Sequence, residues 1–313
     1  MTGASFAAVE LRDEAAGLEA SFIPAAGMLC SSLRHRREEL LAQNAGVAAY
    51  AERGKTLGIP LLYPWANRLA GFHYHVAGRS VQVPHDQRRV ALDNNGLPIH
   101  GVIAGRLGWE LAAEPDADSQ ALRARLRWSD ANPELFEVFP FRHDVYFDAR
   151  LGGGRLAIEL TVDACGNDTV PLAFGFHPYL SLPGASRETW VIELPAMRHL
   201  ELDSRQIPAG GGEPVGARRF ELAALEFDDG FDTLASPARF AATAAGRRIE
   251  VEFLQGYPCA QVFAPLGGSF ICFEPMVAPA NALSSGIGLQ LLDPGKRYQA
   301  SFSVSVQELR SGR

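Results

Sequence analysis

A histidine and a glutamate in this chain sit where their neighbours favour no polar group. In Phe174-Gly175-Phe176-His177-Pro178-Tyr179 the imidazole lies in an aromatic and glycine setting, and Pro178 drives His177 toward an extended backbone that holds the side chain rigidly. In Ile271-Cys272-Phe273-Glu274-Pro275 a carboxylate lies among apolar residues, so it must be paired, neutralised or used. An imidazole and a carboxyl group held in position are the usual means of moving protons near neutral pH, as general acid and general base. Taken alone, a histidine of this kind is as a rule a hydrogen-bonded core residue, and the glutamate has a structural and a functional reading of equal weight.

Two other stretches carry similar tension. Pro64-Trp65-Ala66-Asn67-Arg68-Leu69 places Asn67 and Arg68 beside a tryptophan, and Pro98-Ile99-His100-Gly101 places a histidine before a glycine. Singly, Arg68 reads as half of a structural ion pair and His100 as a turn residue. Other chemistries fail on spacing. Gly54-Lys55-Thr56 resembles the end of a phosphate-binding loop, but Ala49 stands where the upstream glycine is required and Pro60 follows. There is no GxSxG elbow and no HExxH helix. His73 and His75 share one face of a strand with no third ligand nearby, so they read as solvent-facing residues rather than metal ligands. The four cysteines, Cys30, Cys165, Cys259 and Cys272, form no CxxC pair and read as buried free thiols.

The elements that must position these residues are strands. In Leu122-Arg123-Ala124-Arg125-Leu126-Arg127-Trp128 every second residue is apolar, as a strand with one buried face requires. Val145, Phe147 and Ala149 alternate likewise; Gly152-Gly153-Gly154 supplies a turn, and Leu156, Ile158, Leu160 and Val162 resume the alternation, which predicts a hairpin. Ile249, Val251 and Phe253, then Phe302, Val304 and Val306, repeat the pattern. Turn signals at Pro183-Gly184, Asp229-Gly230 and Pro294-Gly295 separate the runs, and the segment around Gly210-Gly211-Gly212 reads as a loop. Only residues 14–19 and 36–41 look helix-prone. The expectation is an all-β fold, a large antiparallel β-sandwich or barrel, in a single domain over residues 1–313.

The chain has 313 residues with 47% hydrophobic composition, enough for a substantial core. A net charge of −7 argues against a nucleic-acid partner, which needs clustered positive charge, and leaves a small molecule as the expected one. No signal-peptide pattern opens the chain and no run approaches the roughly 20 apolar residues that span a bilayer, so a soluble, cytoplasmic protein with no membrane contact is expected.

The four polar stretches, in this order and with Asn281-Ala282 after Glu274-Pro275, resemble the aldose 1-epimerase (galactose mutarotase) family over most of the chain. Many members carry a Gly-Arg pair shortly before the Asn-Arg, where this chain has Pro64-Trp65. The resemblance implies a galactose-mutarotase-like supersandwich, a sugar as substrate and no cofactor or metal. It implies His177 as general acid at the ring oxygen, Glu274 as general base at the anomeric hydroxyl, and Arg68, with Asn67 beside it, and His100 as groups that bind or polarise the sugar. An aspartate that holds a sugar hydroxyl maps to Phe227-Asp228-Asp229-Gly230-Phe231, with Asp228 preferred over Asp229 and Asp232. Trp65 and Tyr179 are candidate apolar platforms, with core packing as their default. Two alternatives stand beside a free-aldose epimerase. One is a hexose-phosphate 1-epimerase using Arg88-Arg89 as a phosphate clamp; the other is a non-catalytic carbohydrate-binding protein on the same fold.

Overall fold

The computed structural model describes residues 6–112 and 120–309. Two large antiparallel sheets dominate it. The first has nine strands in the order Glu110–Leu111, Ala121–Trp128, His143–Gly152, Arg155–Asp163, Arg297–Glu308, Arg247–Gln255, Ala238–Ala244, Val191–Leu194 and Arg218–Glu221. The second has eight strands. Seven follow the order Pro208–Val215, Met197–Leu202, Phe227–Asp232, Cys259–Ala264, Ile271–Met276, Gly175–Phe176 and Leu61–Leu62, and Tyr179–Leu180 pairs with Ile271–Met276 beside them. A four-stranded sheet spans Val9–Asp13 to Glu38–Glu39, and three two-stranded ribbons complete the fold.

The alternation read from the sequence decides which face each strand buries. Along Ala121–Trp128 the residues Leu122, Ala124, Leu126 and Trp128 are buried, and the arginines between them pair with acidic groups outside. The expected hairpin is present: His143–Gly152 pairs with Arg155–Asp163 down to Gly152 opposite Arg155, and the two turn residues, Gly153 and Gly154, have φ of 61° and 72°. That double positive φ is what a tight hairpin turn needs and what glycine supplies without strain. Between the sheets the inner faces interdigitate through aromatic rings, with Phe176 and Phe302 centroids 5.0 Å apart and Phe240 and Phe273 5.4 Å apart. Each such ring removed from water contributes about 1.5–3 kcal/mol.

Five local expectations are corrected. Residues 14–19 are a hairpin turn leading into the strand Leu18–Ile23, with Gly17 at φ 64°. Residues 36–41 turn at Arg36 and Arg37, both at positive φ, into the short strand Glu38–Glu39. The α-helices are instead Val47–Arg53, Pro133–Val138 and Ala282–Ser285 among the described residues. Gly210-Gly211-Gly212 lies in the edge strand Pro208–Val215, and Asp229-Gly230 lies within Phe227–Asp232, because both are paired to neighbouring strands. Of the four free cysteines, Cys165 is exposed rather than buried.

Candidate active site

Three adjacent strands of the eight-stranded sheet present polar side chains on the face turned away from the core. Phe273 packs inward, so its neighbour Glu274 points outward; the same alternation turns Gln261 out between Ala260 and Val262, and Asp228 out beside Phe227. The pairing aligns them: Gln261 lies opposite Glu274, and Asp228 opposite Phe263. Gln261 Nε2 donates to Asp228 Oδ1 at 2.7 Å.

Loops close over this face and complete a cavity of about 140 Å³. The first carries His177 directly after Gly175–Phe176, its amide donating to the Pro60 carbonyl at 3.2 Å. The ring is 4% exposed, stacks on Tyr179 at 4.3 Å and 6°, and places Nε2 3.1 Å from Glu274 Oε1. The second loop carries Asn67, at φ 56°, and Arg68. Asn67 Oδ1 accepts from the Arg68 amide at 2.8 Å and from Nη1 at 3.1 Å. The third is the ribbon Val90–Leu92 with Pro98–Val102, whose register slips between Val90 and Ala91. Opposite that slip His100 and Gly101 both take positive φ, 61° and 75°, and a side chain at Gly101 would lie 2.0 Å from the Tyr63 carbonyl oxygen. This bulge directs the His100 ring to within 5.5 Å of the His177 ring, edge to face.

Burial sets the electrostatics. It pushes the Glu274 carboxyl well above the ordinary carboxylate range, the nearby charge of Asp228 adds to that, and Arg68 opposes it. Burial also holds His177 well below the usual imidazole range, reinforced by His100 and Arg68. His100 is lowered to about 3, by burial first and by Arg68 second. Glu274 Oε2, His177 Nδ1 and His100 Nδ1 are buried without a hydrogen-bond partner among the described residues. The three residues that carry these unpartnered atoms all line the cavity, and buried polar groups are as a rule satisfied, so the site has unused hydrogen-bonding capacity beside its polar lining. The 3.1 Å contact lets His177 and Glu274 exchange a proton with each other or through a ligand.

The model of the aldose 1-epimerase family matches residues 8–305. The chain belongs to the aldose 1-epimerase family. The uncharacterized protein YihR of Escherichia coli K12 is 26% identical over 288 residues, 86% of this chain and 89% of YihR. The structure of Slr1438 from Synechocystis sp. PCC 6803 superposes with a TM-score of 0.76 at 25% identity, covering 98% of this chain and 100% of that one. Galactose 1-epimerase from Lactobacillus acidophilus NCFM shares the fold, with a TM-score of 0.72 at 17% identity over 97% of this chain and 95% of that one. The all-β supersandwich expected from the sequence is thus the family fold.

All six residues singled out in this family member, Asn67, Arg68, His100, His177, Asp228 and Glu274, line the one cavity. Asp228 is the aspartate that faces it, whereas Asp229 is engaged by His199 at 2.8 Å and Asp232 by Arg198 at 2.6 Å. Tyr179 lines the cavity, but Trp65 is 1% exposed in the core, so it forms no sugar platform. Arg88 and Arg89 lie outside the cavity, paired with Asp86 and Glu137. His73 and His75 face solvent, and no group of three potential metal ligands exists among the described residues. The sequence reading passed over Gln261, Phe263 and Ile99 in the cavity wall. Gln261 was findable, as a lone amide in Cys-Ala-Gln-Val-Phe-Ala, by the same reasoning that picked out Glu274. A larger hollow of about 480 Å³ lies on the outer face of the nine-stranded sheet, but its arginines, Arg123, Arg125 and Arg297, are already paired with aspartates.

Proposed function

We propose that this protein is an aldose 1-epimerase that interconverts the α and β anomers of a free, uncharged aldose, with His177 and Glu274 as the proton-transfer pair. The observation that carries the reading is their 3.1 Å contact at a cavity that both residues line together with Asn67, Arg68, His100 and Asp228. The resting pair is neutral, and in the ring-closed complex the reaction starts once the shared proton has passed from Glu274 to His177, giving an imidazolium and a carboxylate. Glu274 takes the proton from the hydroxyl on C1 as His177 Nε2 gives one to the ring oxygen. The C1–O5 bond breaks and the C1 carbonyl forms. What remains is an open aldehyde, a protonated Glu274 and a neutral His177. Rotation about C1–C2 presents the other carbonyl face, and the two transfers run backward to close the other anomer. Burial favours the neutral pair, which is the protonation state matched to the open chain, so the environment of the pair works on the side of ring opening. His100, neutral above pH about 3, serves as a hydrogen-bonding group rather than a charge.

The charge balance favours an uncharged sugar over a sugar phosphate. Arg68 is the cation lining the cavity among the described residues, and it is offset by Asp93 at 2.8 Å and Asp228 at 3.5 Å. The test is anomer exchange followed by NMR on free hexoses and pentoses and on hexose 6-phosphates. Acceleration is expected with a free sugar, and His177→Ala and Glu274→Gln are each expected to lower it about 10²–10⁴-fold while sugar still binds. Unchanged rates in both variants would overturn the assignment; acceleration confined to a phosphate would overturn the substrate class.

A further inference from the structure

Arg68 is fixed at three points: Nε to Asp93 Oδ2 at 2.8 Å, Nη1 to Asn67 Oδ1 at 3.1 Å, and Nη2 toward Asp228 Oδ2 at 3.5 Å. Of the two carboxylates, Asp93 is the one outside the cavity lining, and its side chain is only 5% exposed. Its second oxygen is also committed. Oδ1 accepts from the amides of Asn95 at 2.8 Å and Leu97 at 2.9 Å, and the Asp93 amide donates to the Leu97 carbonyl at 2.9 Å. These bonds shape the turn between Val90–Leu92 and Pro98–Val102, the ribbon that delivers His100. The two segments are laced together as well. Leu69 donates to the Pro98 carbonyl, and His100 donates to the Asn67 carbonyl, both at 2.9 Å.

We infer that Asp93 is a positioning residue: one buried carboxylate that aims the Arg68 guanidinium into the cavity with one oxygen and sets the His100 ribbon with the other. The inference rests on the proposed epimerase reading of the cavity and names a group that reading did not include. The chemistry distinguishes the two tasks. An asparagine at 93 keeps an oxygen that accepts from the Asn95 and Leu97 amides, so the turn survives, but turns an NH₂ toward Arg68 Nε, where donor meets donor and the ion pair is lost. Arg68 then keeps its charge with less to balance it and less to orient it.

A residue that merely held the fold together would change the amount of active protein and leave KM and the pH profile alone. A residue that aims Arg68 changes both. Glu274 is faced by His177, Tyr179, Cys272, Asp228 and Arg68, and Arg68 is the cation among them that draws it toward ionisation. With Asp93 neutralised, that pull is offset by Asp228 alone. Glu274 gives up the shared proton at a lower pH, and the alkaline limb of the rate profile moves toward acid.

The experiment compares wild type, Asp93→Asn, Arg68→Lys and the double variant by anomer exchange, across pH, with thermal melting as the fold control. The expected result is a D93N protein that melts cooperatively, has kcat/KM lowered about 10–100-fold chiefly through KM, and shows the acid-shifted limb. The double variant is expected to lose no more than R68K alone, because both changes remove one aimed group. A folded D93N protein with wild-type KM and wild-type pH limb would overturn the inference, as would losses that add fully. If D93N folds poorly, side-chain ¹⁵N NMR of wild type decides it instead. An Arg68 Nε–H signal, assigned by its absence in R68K, that is protected from exchange supports the clamp, and one that exchanges freely overturns it. A wild type inactive on every sugar would defeat the epimerase reading itself, and the NMR measurement on Arg68 stands apart from that outcome.

Discussion

Nε2 of His177 stands 3.1 Å from Oε1 of Glu274, and both side chains are almost wholly removed from solvent. Their neighbourhood drives the two groups in opposite directions, the carboxyl toward keeping its proton and the imidazole toward refusing one. The pair therefore holds one proton between two atoms at hydrogen-bond distance. Removing water raises the cost of either charge alone and leaves their joint neutral form as the resting one.

That arrangement costs stability, and the cost depends on pH. Because Glu274 in the folded protein is raised above its unfolded value, this one group holds its proton in the native state where the unfolded chain has lost it, so its contribution to stability is fully present below about pH 4.5 and is lost as pH rises toward its folded value. Glu274→Gln keeps the shape and removes the ionisable group. It is expected to raise the melting temperature at pH 8, by about 1.5 °C for each kcal/mol gained, and to give no gain at pH 4. Calorimetry at the two pH values checks it; an equal gain at both would show that ionisation is not the source.

Acid sensitivity is expected from a further histidine, His143, outside the cavity lining. His143 is fully buried, stacks 5.6 Å from Trp128, contacts the Tyr63 hydroxyl and approaches the Phe141 carbonyl at 2.7 Å. Burial lowers it to about 4, against an unfolded value near 6.5. Its neutral form is unpenalised above pH 6.5. As pH falls from there toward 4 the unfolded chain takes up a proton that the native state refuses, a loss on the order of 3 kcal/mol. His143→Gln should lower the melting temperature at pH 7, through lost packing, yet show a shallower decline between pH 6.5 and 4. A decline as steep as wild type would assign the acid lability to other groups.

The bulge at His100 makes Gly101 the backbone position least tolerant of change. Its φ of 75° disfavours a side chain, and a Cβ there would meet the Tyr63 carbonyl oxygen at 2.0 Å. Gly101→Ala is expected to destabilise the fold by on the order of 3 kcal/mol and to displace His100, so that activity falls by more than the unfolded fraction explains. Activity normalised to the folded population, taken from near-ultraviolet circular dichroism, separates the two effects.

Much of this was legible in the residues, for reasons that differ by region. Strands such as Ala121–Trp128 announce themselves because a period of two is needed to bury one face. Residues 14–19 misled because glutamate, alanine and leucine favour helix locally, while pairing of Val9–Asp13 with Leu18–Ile23 leaves room only for a turn. The sheet likewise overrode the turn chemistry of Asp229-Gly230. Glu274 and His177 stood out as polar residues in apolar settings. Asp93 did not, because in Asp93-Asn94-Asn95-Gly96 an aspartate looks like any turn residue, and only the arriving guanidinium of Arg68, 25 positions earlier, distinguishes it.

The place of the strand Arg297–Glu308 has a consequence for how the molecule is made. It lies in the middle of the nine-stranded sheet, between Arg155–Asp163 and Arg247–Gln255. A nascent chain that has reached residue 290 therefore carries two strands whose shared neighbour has not been synthesised, each with a bare hydrogen-bonding edge. The nine-stranded sheet closes only after translation has delivered this strand, and Phe302, which it carries against Phe176, docks beneath the loop that holds His177. The functional centre is thus set only after every other strand of the two large sheets has been made.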